Sequence, residues 1–359
     1  MPAPVIDWIV AEWIAARVAG EGDAPPPNID LTPITEDALG RVVAYTGLVP
    51  VQPVPAPEAV SRREWVAANL SSTRALIDPL LERASDRLGP VKPAAQLWLG
   101  VTGSSEVGLL VGYLAQRVLG QFELVLLPEH AAGHAPRLLF VMPNLGAAVR
   151  RMGVDEREFV TWVALHEVTH AVQFGGVPWL QEHLAGLIRE LLASAEARME
   201  QHRRLHIPSR ETVQRIGRAA LRADLLGMVA SAPERSALDR AQAVMAVIEG
   251  HAEHVMDAVA PDLLPSLPEL RRALDARRRI QSPFGRLISR LLGFELKLKQ
   301  YERGKAFCDA IVASDGAAAL ARLFSAPEAL PTLAELEDPA AWLRRSGDPL
   351  LGAGTHPDC

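Results

Sequence analysis

The sequence predicts a predominantly helical α+β chain with one small sheet. Three observations carry that expectation. Helical periodicity recurs over residues 5–19, 36–47 and 58–88, and from residue 146 onward it covers almost everything. Two short apolar runs, QFELVLLP (121–128) and RLLFVMPNL (137–145), flank the loop EHAAGHAP, a spacing that suits a hairpin. The composition is ordinary for a globular chain, 49% apolar and 22% charged, and the 28 prolines and 26 glycines exclude a coiled coil. At 359 residues the chain accommodates one large domain or two modest ones.

The elements follow in order. Trp8, Ile9, Ala11, Trp13, Ala16 and Val18 recur at helical spacing near the N-terminus. Asp7, Glu12 and Arg17 interrupt that segment, so it is expected to dock on the body of the protein rather than act as a leader or a membrane helix. Residues 20–35 form a Pro-rich connection, and VPVQPVPAP at 49–57 must be extended. In 58–88, Trp65, Leu70, Leu76, Leu80 and Leu81 share an apolar face. QLWLGVTG (96–103) reads as a strand or a buried turn, and 106–120 as an apolar helix ending at Gly120. Three regions are expected: an N-terminal helical region (1–90), a core domain (91–325) and a helical or irregular tail (326–359).

Charge and cysteine usage narrow the function. A net charge of −6 gives no footprint for nucleic acid, and the basic run from Arg271 to Lys299 reads as a solvated helix. The longest uncharged stretch, Val42 to Pro57, is broken by prolines, so no membrane span is expected and a cytoplasmic protein is. The two cysteines, Cys308 and Cys359, make neither a disulfide framework nor a cysteine zinc module. Any metal must then use His, Asp or Glu.

The stretch VDEREFVTWVALHEVTHAVQFGGVPWL (154–180) carries the chemistry. Asp155 is placed to cap a helix, with Glu158 at the capping-box position, and Gly175, Gly176 and Pro178 end it. Within it stands His166-Glu167-Val168-Thr169-His170, an HExxH motif. Residues four apart share a helical face, so both imidazoles can address one zinc ion. Glu167 then lies beside the ion rather than on it, as a general base for water. With ten histidines in 359 residues, chance produces such a motif in about one chain in fifty. Placing these groups inside an apolar helix is costly unless they are paired or metal-bound.

A hydrolytic zinc site takes three protein ligands and keeps one open position. The long metzincin pattern is absent, because Gln173 and Gly176 stand where it needs Gly and His. The preferred third ligand lies in VMAVIEGHAEHVMDAVAP (244–261), where Glu249, Glu253 and Asp257 recur every four residues. Glu249 is read as the ligand and Glu253 as the carboxylate that accepts the outer N–H of a ligand histidine. Asp257 is read as structural. Glu190, His251 and His254 remain alternatives for the third ligand, and either histidine is also a candidate transition-state stabiliser. In GFELKLKQYERGKAFCDAI (293–311), Tyr301 is a candidate donor to an oxyanion.

Taken together, HEVTHAVQFGGVPWL, EGHAEHVMD and KLKQYERGKAF resemble an actinobacterial and Chloroflexus-type family of zincin-like hydrolases, some described as associated with coenzyme F420 biosynthesis. The similarity spans roughly residues 90–315. It implies a zincin-like metallopeptidase core with a small sheet, an HExxH active-site helix and a further helix bearing a glutamate. It carries over His166, Glu167, His170 and Glu249. The usual glutamate-zincin helix has ExxxD, whereas this chain has Glu249-x-x-x-Glu253. The reading is a zinc hydrolase of metallopeptidase type that takes a peptide or small amide. The alternatives are a degenerate zincin-fold binding protein, or a small-molecule amide hydrolase linked to coenzyme F420 metabolism.

Overall fold

A computed structural model of the chain describes residues 6–22, 25–88, 93–123, 135–204, 232–279 and 294–347. The chain divides into two compact units. The first comprises residues 1–41, 52–171 and 260–277, and the second comprises 42–51, 172–259 and 278–359.

The first unit is built on a three-stranded sheet of β1 (Pro57–Val60), β2 (Gly120–Glu123) and β3 (Arg137–Val141), in the order β1-β3-β2. β2 pairs antiparallel to β3, with Gly120 opposite Phe140 and Phe122 opposite Leu138, so the expected hairpin forms. Its loop falls largely in 124–134, outside the described residues. β1 runs parallel to β3, Pro57 opposite Leu138 and Val60 opposite Val141. This third strand departs from the sequence pattern, in which residues 58–60 open a helical segment. The helix α3 (Arg62–Leu88) begins after it, and α2 (Leu31–Thr46), which carries Tyr45, comes before it in the chain.

Two further expectations are corrected here. The run RLLFVMPNL is strand only to Val141, and α5 (Met142–Met152) begins at once because Pro143, in the first turn, sacrifices no helical hydrogen bond. QLWLGVTG lies inside α4 (Pro93–Ala115), so it is helix rather than strand or turn. Of the expected apolar face of α3, Trp65 and Leu70 are buried. The side chains of Leu76, Leu80 and Leu81 lie outside the described residues.

The N-terminal helix α1 (Trp8–Ala19) docks as expected. Asp7 caps it by accepting from Ile9 N and Val10 N. It crosses α4 at two glycines: a Cβ on Gly108 would stand 2.6 Å from Ala11 O, and one on Gly112 2.6 Å from Ala15 O. Ala15, Ala19, Trp65, Val111, Ala115, Leu139 and Val141 form a continuous core beneath the sheet.

α6 (Glu156–Gly176) starts where Asp155 Oδ1 accepts from Glu158 N at 2.9 Å. The capping box is only half made, because the Glu158 carboxylate instead accepts from Ser266 N at 3.0 Å.

In the second unit, α7 (Pro178–Arg204) and α8 (Ala232–Val259) are joined by α9 (Phe294–Asp315) and two short helices, α10 (Leu333–Glu337) and α11 (Pro339–Ser346). α8 and α9 cross at glycines on both sides. A Cβ on Gly250 would meet Gly304 C at 2.1 Å, and one on Gly304 would meet Ala246 O at 1.9 Å. The last turn of α6 belongs to this unit and packs on residues 48–51. A Cβ on Gly175 would lie 3.0 Å from Pro50, one on Gly176 3.2 Å from Leu48, and Val51 N donates to Gly175 O at 2.9 Å. The glycine pair thus serves close approach, and the helix runs through it to Gly176. Among the described residues no helix is long and apolar enough to cross a membrane.

Candidate metal centre

His166 and His170 stand on one face of α6, both half-buried, with their Nε2 atoms 3.2 Å apart. The rings meet edge to face, centroids 4.6 Å apart. Two nitrogens each bound to zinc at 2.0–2.1 Å, at a tetrahedral angle, stand about 3.3 Å apart. The imidazole pair therefore has the spacing a zinc ion requires. The helix positions beside them are buried: Leu165, Val168 and Thr169 are inaccessible, and Thr169 Oγ1 is satisfied by donating to Leu165 O at 2.6 Å.

Glu167 is only 7% exposed. Its Oε2 accepts from the backbone N–H of Phe122 on β2 at 2.9 Å. Gly120 lies flush against the same side chain: a Cβ there would stand 2.7 Å from Glu167 Cγ and 3.1 Å from Oε1. The first unit thus brings His166, Glu167 and His170 together with the strand β2.

The second unit holds the remaining candidates. Gln173, fully buried in the last turns of α6, directs Nε2 to Ile248 O at 2.9 Å and to His251 Nδ1, also at 2.9 Å. An amide nitrogen only donates, so His251 Nδ1 is the acceptor and the proton of the neutral ring sits on Nε2. The His251 ring packs edge-on against Phe324, centroids 5.0 Å apart. Glu249 follows Ile248 on α8 and is half-buried, as is Glu253. Glu190 is exposed, and both its oxygens accept from Arg240, at 2.6 and 2.7 Å.

His254 has both nitrogens engaged. Nδ1 faces Asp309 Oδ1 at 2.6 Å, and Nε2 faces the Tyr45 hydroxyl at 2.8 Å. A carboxylate partner draws the proton to Nδ1, which leaves Nε2 to accept from the phenol. Lys305 Nζ bridges Asp309 at 2.6 Å and Asp257 at 3.1 Å, so the last member of the acidic stripe is charge-paired. Burial, reinforced by the nearby Asp309 charge, raises the Tyr45 hydroxyl above the ordinary phenol range. Burial also pulls Asp309 upward, but hydrogen bonds from Lys305 and His254 outweigh it and hold the carboxyl below the usual range. Tyr301 lies within α9, and its side chain falls outside the described residues.

Sequence reasoning missed Phe122, Gln173, Tyr45 and Asp309. Phe122 acts through its backbone, which no side-chain pattern reveals. Asp309 left a signal in its spacing of four from Lys305 in RGKAFCDA, the spacing of a helical ion pair.

A pair of imidazoles at metal-ligand spacing on a buried helix, with a carboxylate between them in sequence and a small mixed sheet alongside, defines a zincin-like site. The chain belongs to the zincin-like metallopeptidase family, whose model matches residues 6–343, nearly its whole length. A solved structure from Chloroflexus aurantiacus, provisionally described as a hydrolase with a novel fold, is similar to it. The two are 30% identical with a TM-score of 0.68, over 95% of this chain and 99% of the other. No curated protein matches the chain in sequence. The resemblance read from the three motifs and the family found are the same.

Proposed function

We propose that the protein is a zinc-dependent hydrolase of metallopeptidase type, acting on a peptide or small amide, in which His166, His170 and Glu249 hold the metal. The observation that carries the reading is the 3.2 Å separation of the two Nε2 atoms. Support for Glu249 comes from Gln173, which stands one turn past His170 and is bonded to the carbonyl of Ile248, the residue before Glu249. The three residues offer two imidazole nitrogens and one carboxylate oxygen, the donor set of many catalytic zinc sites. Against this, Glu190 is committed to Arg240 and His251 Nδ1 to Gln173.

Zinc bound there supplies Lewis acidity, which polarises a carbonyl and acidifies water. Glu167 accepts the proton of the attacking water and returns it to the departing amine. Its burial and its bond to Phe122 N–H hold it in one orientation for that transfer. Glu253 accepts the outer N–H of a ligand histidine, and Tyr301 donates to the developing oxyanion. His254, fixed between Tyr45 and Asp309, supports this second layer.

The test compares wild type with Glu167→Gln on mixed fluorogenic peptides and small anilides. Hydrolysis is expected to fall by about 10²–10⁴ with zinc content unchanged. Full activity in the variant would sink the mechanism.

A further inference from the structure

The strand β2 is an edge of the sheet among the described residues. In an antiparallel pair, residues that exchange ladder bonds alternate with residues whose backbone groups point away from the partner. Val141 N donates to Leu119 O at 2.9 Å, which makes 119 and 141 a bonded pair. The register then makes 121 with 139 and 123 with 137 bonded pairs as well. Gly120 and Phe122 are therefore the residues whose N–H and C=O point outward along the open edge.

An extended polypeptide that adds to such an edge exchanges both backbone bonds with an outward residue. Phe122 is the residue placed to do this, and its N–H is already given to Glu167 Oε2 at 2.9 Å. The bond lies at a carboxyl group only 7% exposed, where losing it is costly. Gly120, the other outward residue, is packed under Glu167 so tightly that a Cβ would stand 2.7 Å from Cγ. The glutamate of the motif thus closes the strand that would otherwise receive a peptide backbone.

We propose that β2 is closed to strand addition and that the site takes a small amide rather than an extended polypeptide. The inference rests on the hydrolytic reading above. It assigns Gly120 and the Phe122 amide as positioning groups for Glu167.

The zinc-loaded full chain is assayed on N-acyl amino-acid anilides and on random fluorogenic octapeptides, with Glu167→Gln as the blank. In parallel, hydrogen exchange is followed at the Phe122 amide. The anilides are expected to be cleaved with a kcat/KM at least tenfold above that of the octapeptides. Phe122 N–H is expected to be protected in wild type and in Glu167→Gln, which keeps an acceptor, and to exchange roughly ten times faster or more in Glu167→Ala. Octapeptides cleaved faster than anilides would overturn the proposal. Cleavage of neither class would overturn the hydrolytic reading itself. The closed edge then stands or falls on exchange alone, and an unprotected Phe122 amide in wild type would refute it.

Discussion

Replacing Gly304 with alanine tests how the second unit assembles its polar network. An alanine Cβ at this position stands 1.9 Å from Ala246 O and 2.7 Å from Ala246 C. An ordinary carbon–oxygen contact is about 3.3 Å, so α8 and α9 must separate by roughly 1.4 Å. Both obstacles are backbone, and no side-chain rotation relieves them. The same displacement lengthens the bonds that span the two helices, His254 to Asp309 at 2.6 Å and Lys305 to Asp257 at 3.1 Å. Overpacking of this kind costs about 1–3 kcal/mol, and the absence of any escape puts Gly304→Ala near the top of that range. Alanine returns about 1 kcal/mol in helix propensity, which leaves a net loss of about 2 kcal/mol. Gly186 supplies the control, since it lies within α7 with nothing within 4 Å of a Cβ. Gly186→Ala is expected to stabilise by about 0.4–1 kcal/mol. Urea denaturation of both variants reads the difference. If Gly304→Ala matches Gly186→Ala in sign, the close crossing of α8 and α9 is not what orders this unit.

Other consequences follow from the same packing and charges. Gly108→Val forces α1 off α4, where a Cβ already meets Ala11 O at 2.6 Å, and should cost about 1–3 kcal/mol by urea denaturation. Unchanged stability would deny the docking role of the N-terminal helix. Asp309 is held below the ordinary aspartate range in the folded state, against the pull of burial, by Lys305 and His254. A depressed folded-state pKa contributes stability that is present above the unfolded value, near pH 3.9, and is lost as pH falls through the folded value. Stability below about pH 4 should therefore fall less steeply in Asp309→Asn than in wild type. Equal slopes in acid unfolding would contradict the pairing. The carboxylate is about half exposed (46%), so the effect is modest.

Much of the site was legible because helical chemistry is local. HExxH places two imidazoles on one face by spacing alone, and Asp155 and Pro178 bracket the helix by their own conformational preferences. The hairpin was legible from its two apolar runs. β1 was not, since PEAV is short, follows a run of prolines and gains its partner β3 from about eighty residues away. α4 is only partly legible because QLWLGVTG is short and mostly apolar, and periodicity cannot separate a strand from a helix over eight such residues. The hydrogen bond from Phe122 to Glu167 was invisible for a different reason: a backbone amide has no sequence signature. Tyr45, His254 and Asp309 come from three separate helices, and only tertiary packing brings them into one chain of hydrogen bonds.

Metal analysis of the purified protein tests the central claim most directly. Wild type prepared in zinc-replete medium is expected to carry stoichiometric zinc, and Glu167→Gln to carry the same. His166→Ala and His170→Ala are each expected to lose the metal while keeping the helical circular-dichroism spectrum of wild type. Wild type without zinc, or zinc retained when both histidines are removed, would contradict the account.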